Sequence, residues 1–194
     1  VSVKPDIAEA GPENAPVPVV PFEVEAGIVH VVAYNDLEGL DAILSAHSDE
    51  IAAVVMEPVL ENIGIVVPDA GYLAGVREAC DKHGALLVFD EVKTGLTAGY
   101  GGASERLGVK PDLVTLAKSI GGGLPLAAFG GRKDVMDTIT SGRMWHFGTY
   151  NGNPLTMAAA AAVDDICTRE ALQHAEDINN GALDALDEII VRFD

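Results

Sequence analysis

Hydrophobic and polar positions follow one another along the chain in blocks of different period, and each block predicts one element. Short apolar runs predict β-strands at 28–33, 51–56, 85–89, 113–116 and 126–129. Amphipathic or alanine-rich stretches predict helices at 36–47, 72–83, 133–139, 153–167 and 170–190. The run 51–56 is apolar throughout, which is typical of a strand buried on both faces.

Strands and helices alternate at a spacing that predicts a mostly parallel sheet with helices on both faces, an α/β/α sandwich. The start of the chain differs, because five prolines lie between residues 5 and 21. Proline lacks a backbone donor and fixes φ, so we expect residues 1–27 to form an irregular surface segment. Residues 28–194 then form the α/β domain.

Composition excludes several classes of partner. The chain of 194 residues has 12 Lys+Arg against 30 Asp+Glu, a net charge of −18, which argues against nucleic acid and anionic membranes. No apolar run reaches the ~18 residues of a membrane span. Two cysteines without a CxxC pattern suit a reducing, cytoplasmic location. The start is not a signal peptide, and both ends look like cuts within a longer chain.

Polar clusters follow the predicted strands, where ligand sites of parallel sheets form. Glu57 follows the second strand with Asn62 nearby, and Asp90-Glu91-Val92 follows the third. Lys118 follows the fourth strand and precedes three glycines. A fourth cluster, 148–154, contains Thr149 and precedes a predicted helix. Singly, each residue is more simply a turn cap or a surface side chain, but four clusters together favour a ligand site.

The side chains in these clusters suit pyridoxal 5'-phosphate. A carboxylate can pair with a protonated pyridine nitrogen, and a lysine can form a Schiff base with an aldehyde. A Gly-Thr pair near a helix start can hold a phosphate. A P-loop is excluded because Lys118 precedes its glycines, and the five histidines show no metal-binding spacing, so we expect no metal.

Three motifs resemble the class III aminotransferases, which are fold-type I pyridoxal-phosphate enzymes. They are Phe89-Asp90-Glu91-Val92-x-Thr94-Gly95, Pro111-Asp112-Leu113-x-Thr115-Leu116-x-Lys118-x-Ile120-Gly121-Gly122-Gly123-Leu124-Pro125 and Gly148-Thr149-x-x-Gly152-Asn153-Pro154. Glu57-Pro58-Val59-x-x-Asn62-x-Gly64 most resembles the glutamate-1-semialdehyde 2,1-aminomutase branch. The resemblance covers residues 28–190, and the motif around Lys118 is highly specific.

The resemblance implies a role for each matching residue. Lys118 would form the Schiff base and then move the proton between substrate and cofactor. Asp90 would pair with the pyridine nitrogen, and Val92 would pack on the ring. Thr149 would bind the cofactor phosphate in the neighbouring subunit's site, which implies a homodimer.

Two further residues, Glu57 and Asn62, would lie near the cofactor. Lys93 departs from the Gln or Met that the family leads us to expect, which removes the basis for assigning it a contact to the cofactor's 3′-oxygen.

The resemblance also implies missing parts. An upstream phosphate loop, an aromatic that stacks on the ring and a C-terminal small domain are absent, so residues 28–194 would be part of a large domain.

Three functions remain open. The first is an aminotransferase that passes an amino group from an amino acid or amine donor to a keto acid or aldehyde acceptor. The second is an aminomutase, favoured by the pattern from Glu57 to Asn62. The third is a non-catalytic fragment or pseudoenzyme. The bulky stretch Trp145-His146-Phe147 favours a broader transaminase.

Overall fold

The structure, a computed structural model, describes residues 2–4 and 29–193. Its strands are β1 (Ser2–Lys4), β2 (Val31–Ala33), β3 (Ala53–Met56), β4 (Leu86–Asp90), β5 (Leu113–Leu116) and β6 (Ala128–Gly131). Its helices are α1 (Leu37–Ala46), α2 (Tyr72–His83), α3 (Thr94–Thr97), α4 (Gly102–Leu107), α5 (Lys133–Thr140), α6 (Pro154–Ile166) and α7 (Arg169–Phe193). A 3₁₀ turn covers Lys118–Gly121.

The six strands form one sheet in the order β2-β1-β3-β4-β5-β6. Every neighbouring pair is parallel except β5 and β6, which are antiparallel. Helices α1 and α2 pack together against one face, while α5 and α6 border a cleft at β5 and β6. The predicted α/β architecture with a mostly parallel sheet is therefore confirmed.

The core lies between α1, α2 and one face of the sheet. Every second residue of β3 and β4 is buried, so that Val54, Met56, Leu87 and Phe89 all contribute to it. Complete burial of such side chains contributes about 1.5–3 kcal/mol each. This alternation fixes the register, since a slip of one residue would turn the apolar set away from the helices.

The expectation that residues 51–56 form a strand buried on both faces is wrong. The strand begins at Ala53, and Val55 is 45% exposed. The reason is that α5 and α6 lie at β5 and β6, so they leave β3 uncovered on that face within residues 29–193.

The start of the chain also differs from expectation. Ser2–Lys4 form a parallel strand between β2 and β3, so an irregular conformation is the wrong prediction for these three residues. Their short pattern is too weak to predict a strand, and pairing on both sides supplies the stabilisation. Residues 5–28 lie outside the described residues, and the domain boundary at 27/28 stays a prediction.

Glycine-rich stretches account for most of the remaining differences between the predicted and the observed elements. Sequence periodicity missed the short helices α3 and α4, which lie in a glycine-rich segment. Strand β6 begins at Ala128 rather than Leu126 and ends with Gly130 and Gly131 beside β5. A Cβ on Gly131 would overlap the backbone of Asp112, so this close pairing requires glycine.

Asp112 joins three elements at the amino end of β5. Its buried carboxylate accepts hydrogen bonds from the Leu87 N–H, from Arg77 Nη1 and from Arg132 Nη1, each at 2.7 Å. Burial alone would raise the pKa of Asp112, but the bonds from Arg132, Leu87 and Arg77 hold that pKa below its ordinary value. The carboxylate thus ties β4, α2 and the residue after β6 together.

We expect Asp112→Asn to lower the free energy of unfolding by about 1.5–3 kcal/mol at pH 6, because three donors lose a charged acceptor. The folded pKa lies below the unfolded value of about 3.9. The carboxylate therefore stabilises the fold above that pH and stops doing so as the pH falls through the folded pKa. Denaturant titrations should show the difference from wild type shrinking below about pH 4.

Asp81→Asn is the matched control, since Asp81 pairs with the same Arg77 on the exposed surface. It should change stability far less than Asp112→Asn does. Equal effects of the two variants at pH 6 would contradict the role assigned to Asp112.

Candidate active site

Three of the predicted site residues lie at the carboxyl ends of three neighbouring strands. Glu57 directly follows β3, Asp90 is the last residue of β4, and Lys118 comes two residues after β5. The register pairs Met56 with Phe89, which brings Glu57 level with Asp90. The next ladder pairs Asp90 with Thr115. The sheet therefore gathers these three side chains at one edge.

Asp90 is oriented by its own turn. Because Phe89 is directed into the core, Asp90 lies on the opposite face of the sheet. Its Oδ1 accepts a hydrogen bond from the Val92 N–H at 3.0 Å. Within residues 29–193 Oδ2 has no hydrogen-bond donor, so it can accept one from a ligand.

Lys118 has a backbone conformation that is rare for its residue type. Its φ is 53°, in the left-handed region, and its side chain is exposed. Such a conformation costs on the order of 1–3 kcal/mol and clusters at functional sites. The turn behind it is closed by hydrogen bonds from Gly122 N–H to Ser119 O at 3.1 Å and from Leu124 N–H to Gly121 O at 3.0 Å.

The glycines after Lys118 allow the turn to pack against α6. Gly122 has a φ of 57°, and a Cβ there would lie 2.9 Å from Cγ2 of Val163. Only glycine meets both conditions without strain. This local packing fixes the position of Lys118 relative to the end of β5.

An apolar cleft of about 1330 Å³ borders the strand ends. Val92, Leu116 and Ile120 line it on the side of the site, and β6, α5, α6 and the turn before α6 supply most of the other lining. Asp90 and Lys118 do not line it, so the cleft lies beside these two residues. Of the predicted residues, Val92 is the one that joins the strand ends to this apolar wall.

Thr149 lies in the turn before α6, and its neighbours Tyr150 and Asn151 line the same cleft as Val92. It is exposed in the turn before α6, where the Asn151 N–H donates to Gly148 O at 3.0 Å. The Asn153 side chain caps α6 by accepting from the N–H groups of Leu155 and Thr156, as its place before Pro154 predicts. Within the described ranges Thr149 makes no hydrogen bond to Asp90 or Lys118.

The segment after β3 holds Glu57 and Asn62. Glu57 Oε2 accepts from the Glu61 N–H at 3.4 Å, whereas Asn62 is exposed. The Tyr34 hydroxyl, which sequence reasoning missed, donates to the carbonyl of Pro58 at 2.7 Å. Burial, with smaller effects from nearby groups that include Glu57, raises the pKa of Tyr34 above its ordinary value. Tyr34 thus fixes the turn that begins at Glu57.

Glu91 is a second residue that the sequence analysis left without a role. It is 3% exposed, and its carboxylate accepts from the N–H groups of Ala103 at 2.7 Å and Ser104 at 2.9 Å. The hydroxyls of Thr94, at 3.1 Å, and Ser104 also donate to it. The alternation of faces along β4 indicates this burial, because Glu91 comes two residues after the buried Phe89 and therefore continues the same face.

The side chains at the strand ends match the aldehyde and the ring of the predicted cofactor. An exposed amine, a carboxylate with a free acceptor oxygen and an apolar wall suit an aldehyde, a ring nitrogen and a ring face. The turn that carries Thr149 lines the same cleft through Tyr150 and Asn151. Among residues 29–193 no cluster of His, Cys, Asp or Glu could hold a metal ion.

Comparison with known proteins gives concordant results. Residues 6–192 match the family described as Aminotransferase class-III. Glutamate-1-semialdehyde 2,1-aminomutase of Syntrophobacter fumaroxidans is 46% identical over 173 residues, which are 88% of this chain and 40% of that protein. The chain therefore spans well under half the length of this curated relative.

Two solved structures extend the comparison. A β-phenylalanine aminotransferase from Variovorax paradoxus has a TM-score of 0.69 and 41% identity, over 74% of this chain and 34% of that one. A glutamate-1-semialdehyde-aminomutase from Pseudomonas aeruginosa PAO1, in complex with PMP, has a TM-score of 0.69 and 34% identity, over 82% of this chain and 38% of that one. With the family match covering nearly the whole sequence, the chain belongs to the class III aminotransferases.

Proposed function

We propose that this chain is part of a pyridoxal-phosphate-dependent aminotransferase of class III. The complete enzyme would take an amino group from an amino acid or amine donor and pass it to a keto acid or aldehyde acceptor. The observation that carries the proposal is the placement of Lys118, in a left-handed conformation, two residues after β5, the strand next to the one that ends in Asp90.

Each residue at the strand ends has a proposed task. Lys118 Nζ would hold the cofactor covalently and then move the proton at the substrate Cα. Asp90 Oδ2 would accept a hydrogen bond from the ring nitrogen and favour its charged form. Val92 would pack on one ring face. When bound, the cofactor supplies an aldehyde for the substrate amine and a ring that accepts electrons. Glu57 and Asn62 are proposed neighbours of the cofactor.

We also propose a homodimer in which Thr149 binds the cofactor phosphate of the neighbouring subunit. The turn that carries Thr149 also presents Trp145, Phe147 and Tyr150, which are 79%, 76% and 81% exposed. Large aromatic side chains are enriched in interfaces and rare on free surfaces.

A cytoplasmic location is proposed from the cysteines. Cys80 and Cys167 are both free, which suits a reducing compartment. None of the helices in the described ranges is long and apolar enough to cross a membrane.

An aminomutase is the second candidate function. The observation in its favour is the 46% identity to a relative that carries the name glutamate-1-semialdehyde 2,1-aminomutase. An aminomutase would use the same lysine and aspartate, but the amino group would return to the same carbon skeleton.

Replacement of Lys118 by Ala should abolish covalent attachment of pyridoxal phosphate and transamination in the complete protein, because no other group takes over the amine. Absorbance spectra of the protein with cofactor, together with transamination assays, measure both effects. Lys110→Ala is the control, since Lys110 is another exposed lysine near β5. Full activity of Lys118→Ala would exclude this role, and an inactive wild type that attaches no cofactor would favour a pseudoenzyme.

Asp90→Asn should leave the covalent attachment intact but lower turnover by about 10²–10³-fold, because a neutral amide stabilises the charged ring nitrogen less. Steady-state kinetics of the complete protein test this prediction. Asp165→Asn, at an exposed position of α6, should behave as wild type. A turnover within about twofold of wild type would make Asp90 a turn residue only, held by its bond to the Val92 N–H.

The two candidate functions differ in their need for a second substrate. An aminotransferase should stop after one half-reaction unless a separate acceptor is added. Chromatography of products from glutamate-1-semialdehyde, with and without added keto acid, distinguishes the two. Sustained turnover without an acceptor would favour the aminomutase over the main proposal.

A further inference from the structure

Glu91 is a buried carboxylate that forms no ion pair with another residue of 29–193. Four hydrogen-bond donors surround it, namely the N–H groups of Ala103 and Ser104 and the hydroxyls of Thr94 and Ser104. Removing a charge from water is costly unless its hydrogen bonds are satisfied. The four donors hold the side chain of Glu91 in one position.

The position of Glu91 in the chain indicates a role for it. It lies between Asp90 and Val92, two of the residues assigned to the cofactor. Its backbone N–H donates to Thr115 O at 3.0 Å, which continues the ladder between β4 and β5 beyond Asp90. The backbone of Glu91 thus sets the end of β4 against the strand that leads to Lys118.

The side chain of Glu91 also holds the end of β4, through contacts with α4. The N–H groups of Ala103 and Ser104 belong to the first turn of α4, so the carboxylate joins that helix to the end of β4. Gly102 has a φ of 65°, and a Cβ there would overlap Glu91 Oε2 and approach Gly95 O. The contact is therefore too close for any larger residue.

Helix α4 is itself held in place by α7. Arg106 Nη2 bonds to Glu176 Oε1 at 2.7 Å, and Arg169 pairs with Glu105. The segment from Thr94 to Leu107 is thus fixed at one end by Glu91 and at the other by α7.

We propose that Glu91 is the positioning residue that sets the orientation of Asp90 and Val92 toward the cofactor. It does not touch the reacting atoms but acts through its two neighbours. This inference rests on the proposed function, because it assumes that Asp90 and Val92 contact the cofactor.

The test is Glu91→Gln in the complete, cofactor-loaded protein. The amide NH₂ of glutamine would face N–H groups that need an acceptor, so the end of β4 must shift relative to the first turn of α4. A displacement of about 1 Å at a reacting centre costs up to about a hundredfold in rate. We therefore expect kcat to fall about tenfold to a hundredfold, KM to change less than about threefold, and the absorption maximum of the bound cofactor to move.

Asp112→Asn is the matched control for lost stability, since Asp112 is also a buried carboxylate but lies at the opposite end of the sheet. It should lower the melting temperature and leave the kcat and the cofactor spectrum unchanged. If Glu91→Gln does not fold, Thr94→Val removes one donor with little change in shape, and kcat should fall about two- to tenfold.

The outcomes separate the two proposals. A lower melting temperature with unchanged kcat and spectrum for Glu91→Gln, or for Thr94→Val in its place, would overturn the positioning role. Equal losses of kcat for Glu91→Gln and Asp112→Asn would also overturn it, because they would indicate general destabilisation. Failure of the wild type to attach cofactor would instead remove the proposed function itself.

Discussion

The parallel pairing of β4 with β5 is the interaction on which the candidate site depends. Asp90 pairs with Thr115, and the Glu91 N–H donates to Thr115 O at 3.0 Å. These bonds place the end of β4 beside the segment that leads to Lys118. A slip of one residue would turn Asp90 into the core and Phe89 out of it, so the buried apolar set and the site share one register.

Two buried carboxylates lie at opposite ends of this pair of strands. Asp112, before β5, is satisfied by two arginines and the Leu87 N–H, so it is an ion-pair junction. Glu91, after β4, is satisfied by neutral donors from α3 and α4. Replacement of either carboxylate should lower the free energy of unfolding. Of the two, Glu91 is the one that adjoins residues that we assign to the cofactor. This difference is what makes Asp112 a useful comparison.

Much of the fold could be predicted from periodicity, because β3, β4, α1 and α2 pack one apolar face each. The order of the sheet and the strand Ser2–Lys4 could not, since pairing with distant strands decides them. Glycine-rich segments carry no periodicity, so α3, α4 and the turn at Lys118 were missed.

The motifs predicted the strand-end positions of Glu57, Asp90 and Lys118, which the structure gathers at one edge of the sheet. Their roles remain predictions. Glu91 and Tyr34 act through hydrogen bonds to residues 12–24 positions away, and spacing alone does not show such contacts.

We propose that the cofactor attaches to Lys118, beside the strand that ends in Asp90. This attachment can be tested by borohydride reduction of the complete wild-type protein with pyridoxal phosphate, followed by peptide mass mapping. We expect a gain of one reduced cofactor, located on the peptide that contains Lys118. A gain on another lysine, or no gain on the complete chain, would contradict it.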